Sequence, residues 1–339
     1  MYTMKQMVET LRKAGYEPVP LQDAALVLPF GGRILGVYPD GAANQFWVNP
    51  GLRDLSSARA FFTGGGWLNI GGDRTWISPE METHTADMER YPDNIDVPRS
   101  VDPGAYRIVE VRTTSVTLES DMTVTFHRSK TTLPLRLRKT VALMDAPPYE
   151  PSGGVAFAGY RLTTTLSLRD TSASPVLPCI WNLIQVPGGG EITVPVRQGA
   201  APRAFIGKPG YSLADNLITC RVETPASYKF SVKASHSKGL MVYCSTAGEP
   251  ASLVVRSFTV REDAVYADFP CLDPGDDGYM TEVYIDDGMY GGFGELEHHS
   301  PAIAVAHGER EVRDVCETWA YAGPAGKIKE LRDAVLKGR

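Results

Sequence analysis

Two carboxylates and two imidazoles crowd into five residues, Glu295-Leu296-Glu297-His298-His299. Carboxyl and imidazole groups are the usual proton carriers of enzyme sites, so this stretch holds the parts for acid–base chemistry. Read as an extended strand, its period of two puts Glu295, Glu297 and His299 on one face and Leu296 and His298 on the other. Charged groups are rarely buried without a partner, so two acids and an imidazole facing one way point to a polar pocket. An edge strand whose polar face meets water accounts for the same pattern. A metal ion would find suitable donor atoms here. Three successive same-face residues form a row rather than a converging cage, however, and no metal is expected.

A second polar concentration lies upstream, in Gly71-Gly72-Asp73-Arg74-Thr75-Trp76-Ile77-Ser78-Pro79-Glu80 with His84 close behind. Arg74 and Glu80 read either as a structural ion pair or as planar charged groups that bind vicinal hydroxyls. Trp76 reads either as core or as an aromatic face for the apolar side of a sugar ring. The paired glycines suit a pocket wall where backbone approaches a ligand closely. Trp47, Trp67 and Trp181 are further candidates for such a face, and Arg33 is a further nearby cation.

The elements that must carry these residues are mostly strands. Met4, Met7, Val8 and Leu11 fall at helical spacing and Gly15 ends the pattern, which predicts an amphipathic helix over 1–15. Alternation then takes over: Leu26-Val27-Leu28 and Ile34-Leu35-Gly36-Val37 flank a turn, and Met122/Val124/Phe126, Tyr228/Phe230/Val232 and Val283/Ile285 follow. Turn signals separate them, among them Asp102-Pro103-Gly104, Pro187-Gly188-Gly189-Gly190 and Asp273-Pro274-Gly275-Asp276-Asp277-Gly278. Ile328, Leu331, Val335 and Leu336 return to helical spacing. The expectation is one all-β domain over 1–339, an antiparallel sandwich over 24–322 with short helices at 1–15 and 325–338. No dinucleotide, phosphate-loop, metalloprotease or nucleophile-elbow motif is present, and the aspartates of the 273–278 turn fit no calcium-loop spacing.

The 339 residues carry a formal net charge of -6, which argues against a nucleic-acid partner. The densest basic stretch, Arg136-Leu137-Arg138-Lys139, alternates with leucine and reads as the wet face of a strand. Five scattered cysteines (Cys179, Cys220, Cys244, Cys271, Cys316) lack any framework spacing and read as reduced, mostly buried thiols. With no signal-peptide core and no apolar run long enough to span a bilayer, no membrane partner is expected and the cytoplasm is the expected location.

Taken together, these segments resemble the galactose mutarotase-like superfamily, which includes the aldose 1-epimerases and sugar-binding domains of several glycosidases and lyases. Leu296-Glu297-His298-His299 with Pro301 looks like the epimerases' Leu-Glu-Thr-Gln-like stretch and puts the catalytic base at Glu297. Asp73-Arg74 is similar to their Asn-Arg pair, which supplies a sugar-contacting arginine. Asp170-Thr171 through Pro175-Val176 to Trp181-Asn182-Leu183 resembles the segment ending in Phe-Asn-Leu, and Gly308-Glu309 resembles the closing Pro-Gly-Glu strand. The resemblance implies a supersandwich with a saddle-shaped site for a mono- or oligosaccharide and no cofactor. It implies anomer interconversion, with glycosidic cleavage or non-catalytic sugar binding as the competing expectations. One departure stands out. Pro178 occupies the position of the epimerases' general-acid histidine, and His84, His298, His299 or Glu295 would have to replace it. The expected catalytic set is therefore Glu297, His299 and His84, and the expected sugar-binding set is Arg74, Trp76, Glu80, Glu295, His298 and Trp181. The oligomeric state is left open.

Overall fold

A computed structural model describes residues 3–41, 43–151, 153–170, 176–223, 225–268 and 278–338. Its strands form a nine-stranded and a ten-stranded sheet, antiparallel throughout. At the centre of the nine-stranded sheet lie, in order, Asp73–Ser78, Cys179–Pro187, Phe293–His299, Thr281–Ile285 and Tyr228–Val232. The ten-stranded sheet is built on longer strands, including Thr131–Leu143, Ala156–Leu168 and Glu311–Gly323.

Alternation explains the layering. Ile34, Ile184, Val186, Val283 and Leu296 from the first sheet meet Leu118, Val141, Leu162, Val254 and Ala320 from the second in one buried core. Polar clamps cross this interface. Arg256 Nη1 lies 2.7 Å from Asp73 Oδ2, and the Tyr160 hydroxyl donates to the same oxygen at 2.6 Å. His298 Nε2 and Asn182 Nδ2 each lie 2.9 Å from Asp314 Oδ2.

The expected terminal helices are present as Met4–Lys13 and Ala325–Lys337. Thr3 and Gln6 close the first with a capping box. Its Met4, Met7 and Leu11 join Leu26, Leu28 and Leu35, together with a helix at Leu55–Phe62 that hydrophobic spacing did not reveal. At the other end, Ile328, Leu331 and Val335 pack with Leu253, Val255, Trp319 and Tyr321 of the ten-stranded sheet. Among the described residues no helix is long and apolar enough to cross a membrane.

Two sequence expectations need correction here. Arg136 and Arg138 do stay at the surface, but Lys139 is buried and donates to the Gly32 carbonyl at 2.8 Å. The glycines before Arg74 do approach something closely, but it is neighbouring backbone. Gly71 and Gly72 have φ of 98° and 77°, and a Cβ would come within 2.5 Å of the Trp47 carbonyl oxygen and 2.4 Å of the Ile34 carbonyl oxygen. Cys179, Cys220, Cys244 and Cys316 are free and buried. Cys271, the aspartates at 273, 276 and 277, and residues 171–175 lie outside the described residues.

Candidate active site

The Phe293–His299 strand runs between Cys179–Pro187 and Thr281–Ile285. Its register sets Glu297 beside Leu183 and Glu282, and His299 beside Trp181. Farther out, Trp76 pairs with Trp181, and Ser231 with Glu282. Because opposed residues share a face, the outer surface of this sheet gathers Arg74, Trp76, Trp181, Glu295, Glu297, His299, Glu282 and Lys229. Leu296 and His298 turn the other way, as the period of two requires.

Lys229 is the centre of the cluster. Its Nζ lies 2.8 Å from Glu80 Oε2, 2.9 Å from Glu282 Oε2 and 3.1 Å from Glu297 Oε2. It also sits 4.4 Å from the centroid of Trp181, a cation–π contact. Trp181 Nε1 donates to Glu297 Oε2 at 2.7 Å, while Glu297 Oε1 is buried with no hydrogen-bond partner among the described residues. Glu80 arrives from the short helix Glu80–Thr83 that follows the Asp73–Ser78 strand, and its N–H donates to Asp268 Oδ1 at 2.6 Å.

Three carboxyls around one ammonium, with Asp268 beside them, cannot all ionise in a dry site, and their environments push them apart. Burial raises the Glu297 carboxyl well above the ordinary range, with the Lys229 charge opposing it, and burial raises Glu80 too. Burial also works against the Glu282 carboxylate, but Lys229 and His299 together hold it below the ordinary range. Asp268 is raised by burial to about 7 against the pull of His299. Burial disfavours the Lys229 ammonium, yet the surrounding glutamates keep it charged. Carboxyls pushed up and a carboxylate held down thus stand side by side, an arrangement suited to acid–base catalysis.

The expected site residues do not all meet in one place. Glu297, Glu80 and His299 meet in the cluster. Arg74 and Glu295 form an adjoining pair, Nη2 to Oε1 at 2.7 Å, with Gln185 Nε2 donating to the same oxygen at 2.8 Å. The suspected Arg74–Glu80 ion pair is therefore replaced by two others, Arg74–Glu295 and Lys229–Glu80. Arg33, fully buried, is tied to Asp102 Oδ2 at 2.6 Å and to the Gly71 carbonyl.

Trp76 and Trp181 are enclosed walls rather than open platforms. The Arg74 guanidinium lies over Trp76 at 4.2 Å, and Trp67, Trp181 and His84 pack around the same ring. Trp181 is covered by Lys229, His84 and the stacked His299 ring. His84 is also no cationic acid. Burial, with the Lys229 and Arg74 charges, lowers its pKa to about 3, and its Nδ1 shares a hydrogen with Thr83 Oγ1 at 2.8 Å. His298 is removed from the site altogether, since it points between the sheets at Asp314 with its ring stacked on Phe258.

Lys229, Glu282 and Asp268 escaped the sequence reading. The first two sit in strands recognised by their apolar neighbours, Tyr228/Phe230 and Val283/Ile285. The signal was there: a lysine and a glutamate occupy the alternate positions of those same strands. Asp268 stands in an irregular segment with no periodicity to mark it.

Comparison with known proteins places the chain without naming its chemistry. Residues 47–337 match a family described as Family of unknown function (DUF6786). The chain belongs to that family. No curated protein shows significant sequence similarity to this DUF6786 member. Among solved structures it is similar to a galactose mutarotase-like protein from Lactobacillus casei, with a TM-score of 0.51 and 10% identity, over 90% of this chain and 100% of the other. A galactose mutarotase related enzyme from Lactobacillus acidophilus matches with a TM-score of 0.49 and 6% identity, over 91% and 98% of the two chains. The galactose mutarotase-like fold read from the sequence is the fold of this protein.

Proposed function

We propose that this protein is a carbohydrate-acting enzyme that interconverts sugar anomers, with Glu297 and Glu80 as its proton-transferring pair. The observation that carries this reading is the meeting of these two carboxyls, 217 positions apart in the chain, on one buried ammonium. Anomer exchange needs a proton taken from the anomeric hydroxyl and a proton given to the ring oxygen. Whichever member of the pair has given up its proton takes the first as the other gives the second. The bond from the anomeric carbon to the ring oxygen breaks, an open-chain aldehyde forms, and reclosure on the other face returns both protons. Lys229 holds the two carboxyls together and offsets the charge of whichever is ionised.

The fold by itself carries no chemistry, but it supplies the aldose-processing context in which such a pair makes sense. The arginine–glutamate pair Arg74–Glu295 borders the site with polar groups suited to hydroxyls. On that side the partly buried Trp67 packs edge-on against Trp76 and against Tyr290, itself 46% exposed. In this reading Trp67 and Tyr290, rather than Trp76, offer the aromatic surface to an incoming sugar.

The same carboxyl pair could instead cleave a glycosidic bond, since glycosidases also work with two carboxyls. Proton NMR of freshly dissolved aldoses, uronic acids and short oligosaccharides separates the two. Anomer exchange faster than the buffer rate with intact oligosaccharides is the expected result. New reducing ends would move the assignment to hydrolysis, and buffer-rate exchange throughout would remove the isomerase reading.

A further inference from the structure

Beside the Glu297–Glu80 pair, three side chains from three separate segments aim single atoms at one another. His299 Nε2 lies 3.2 Å from Glu282 Oε2 and 3.6 Å from Asp268 Oδ2, and all three atoms fall within 4.8 Å of one another. The three residues are fully buried. Among the described residues Asp268 Oδ2 has no hydrogen-bond partner, while Glu282 Oε2 also lies 2.9 Å from Lys229 Nζ. The other polar atoms of the three residues are all taken. His299 Nδ1 is 2.9 Å from Ser78 Oγ, Glu282 Oε1 accepts from Ser231 Oγ at 2.5 Å, and Asp268 Oδ1 accepts from the Glu80 N–H at 2.6 Å.

That division of labour is how metal ligands are held: an outer partner fixes one atom of each side chain and leaves the other free to point inward. The spacing agrees. Metal bonds of about 2.1 Å to nitrogen and oxygen put neighbouring ligands of a tetrahedral ion about 3.4 Å apart, and the two shorter separations here lie on either side of that value. One imidazole and two carboxylates suit a first-row divalent cation such as Zn²⁺ or Mn²⁺. Lys229 Nζ touches the same Glu282 Oε2 at 2.9 Å, so an ion would share that oxygen with the ammonium or displace it.

We propose that Asp268, Glu282 and His299 form a binding site for a first-row divalent cation, with at least one coordination position left to water or a sugar oxygen. This departs from the expectation of no metal, which considered the row Glu295, Glu297 and His299. That row does disperse to separate partners, but His299 converges with residues from other segments. The inference does not depend on the isomerase reading, because its test reads metal rather than turnover.

The full-length protein is treated with chelator, dialysed, and titrated with Zn²⁺ and with Mn²⁺ by calorimetry, with metal content per chain measured after gel filtration. One equivalent per chain is expected, with affinity falling at least tenfold in Asp268→Asn and in His299→Gln. His298→Gln, which alters the separate His298–Asp314–Cys316 cluster between the sheets, should leave it unchanged. No bound metal in the wild-type protein would overturn the proposal, as would binding that is lost in His298→Gln but kept in Asp268→Asn. A circular dichroism spectrum of each variant separates lost binding from lost folding. If His299→Gln does not fold, the wild-type stoichiometry and Asp268→Asn still decide the matter.

Discussion

His84 shows how position overrules residue type. A histidine beside a suspected sugar site invites the role of general acid, but this ring is buried against Trp76 and Trp181 within the field of Lys229 and Arg74. Its folded pKa of about 3 lies below the 6.5 of the free side chain. The unfolded chain therefore binds the extra proton first as pH falls, so the stability owed to neutral His84 is complete above about pH 6.5 and drains away toward pH 3. Urea denaturation across that range should show the wild type losing stability faster than His84→Gln; parallel acid limbs would mean that the ring is more exposed than the packing indicates. The NMR shifts of the His84 ring should likewise stay those of a neutral imidazole between pH 5 and 8. Arg74 lies close by in sequence, but the burial that does most to suppress protonation and the Lys229 charge come from the packing of distant segments.

At the scale of elements, the Phe293–His299 strand was legible and its surroundings less so. Alternation alone assigned Glu295, Glu297 and His299 to one face and Leu296 and His298 to the other, and the structure keeps that division. Alternation did not decide whether both faces are covered. The pattern left a polar pocket and a water-facing edge as alternatives; here the face meets Lys229, Arg74 and the segment carrying Asp268, and the residues form a buried site. The helix at Leu55–Phe62 had a weaker signal in its Asp54 cap, which accepts from the Ser57 N–H at 2.9 Å. Two predictions belong at this scale. Asp73 and Arg256 clamp the sheets as a fully buried pair, so Asp73→Asn, which leaves the guanidinium uncompensated, should cost about 3–5 kcal/mol by chemical denaturation. A cost below about 1 kcal/mol would show that the clamp contributes little. The loop after Thr281–Ile285 is folded around Asp286, which accepts from the N–H groups of Gly288, Tyr290 and Gly292. Asp286→Ala should therefore release Tyr290 and raise the KM for a sugar severalfold while leaving kcat close to wild type. A lower kcat at unchanged KM would count against Tyr290 as a binding surface.

For the molecule as a whole, the sandwich divides the work. The ten-stranded sheet and its C-terminal helix provide bulk, and the nine-stranded sheet carries the Lys229 carboxyl cluster on the face opposite Leu296 and His298. Ile328 is fully buried where that helix meets the larger sheet, so Ile328→Ala should destabilise the fold by about 2–5 kcal/mol without altering the chemistry of the native protein. The fold was readable because hydrophobic alternation and turn residues are local signals repeated along the chain. The site was only half readable because it is assembled from six segments, and sequence proximity marked just two of them. The claim that matters most is that Glu297 transfers protons to and from a sugar. It is tested most directly by measuring anomer exchange by saturation-transfer NMR on the aldose that responds best, for wild type and Glu297→Gln side by side. The account predicts enzymatic exchange in the wild type, and in the variant a rate equal to buffer with sugar binding still detectable by line broadening. Exchange that persists undiminished in Glu297→Gln would contradict it.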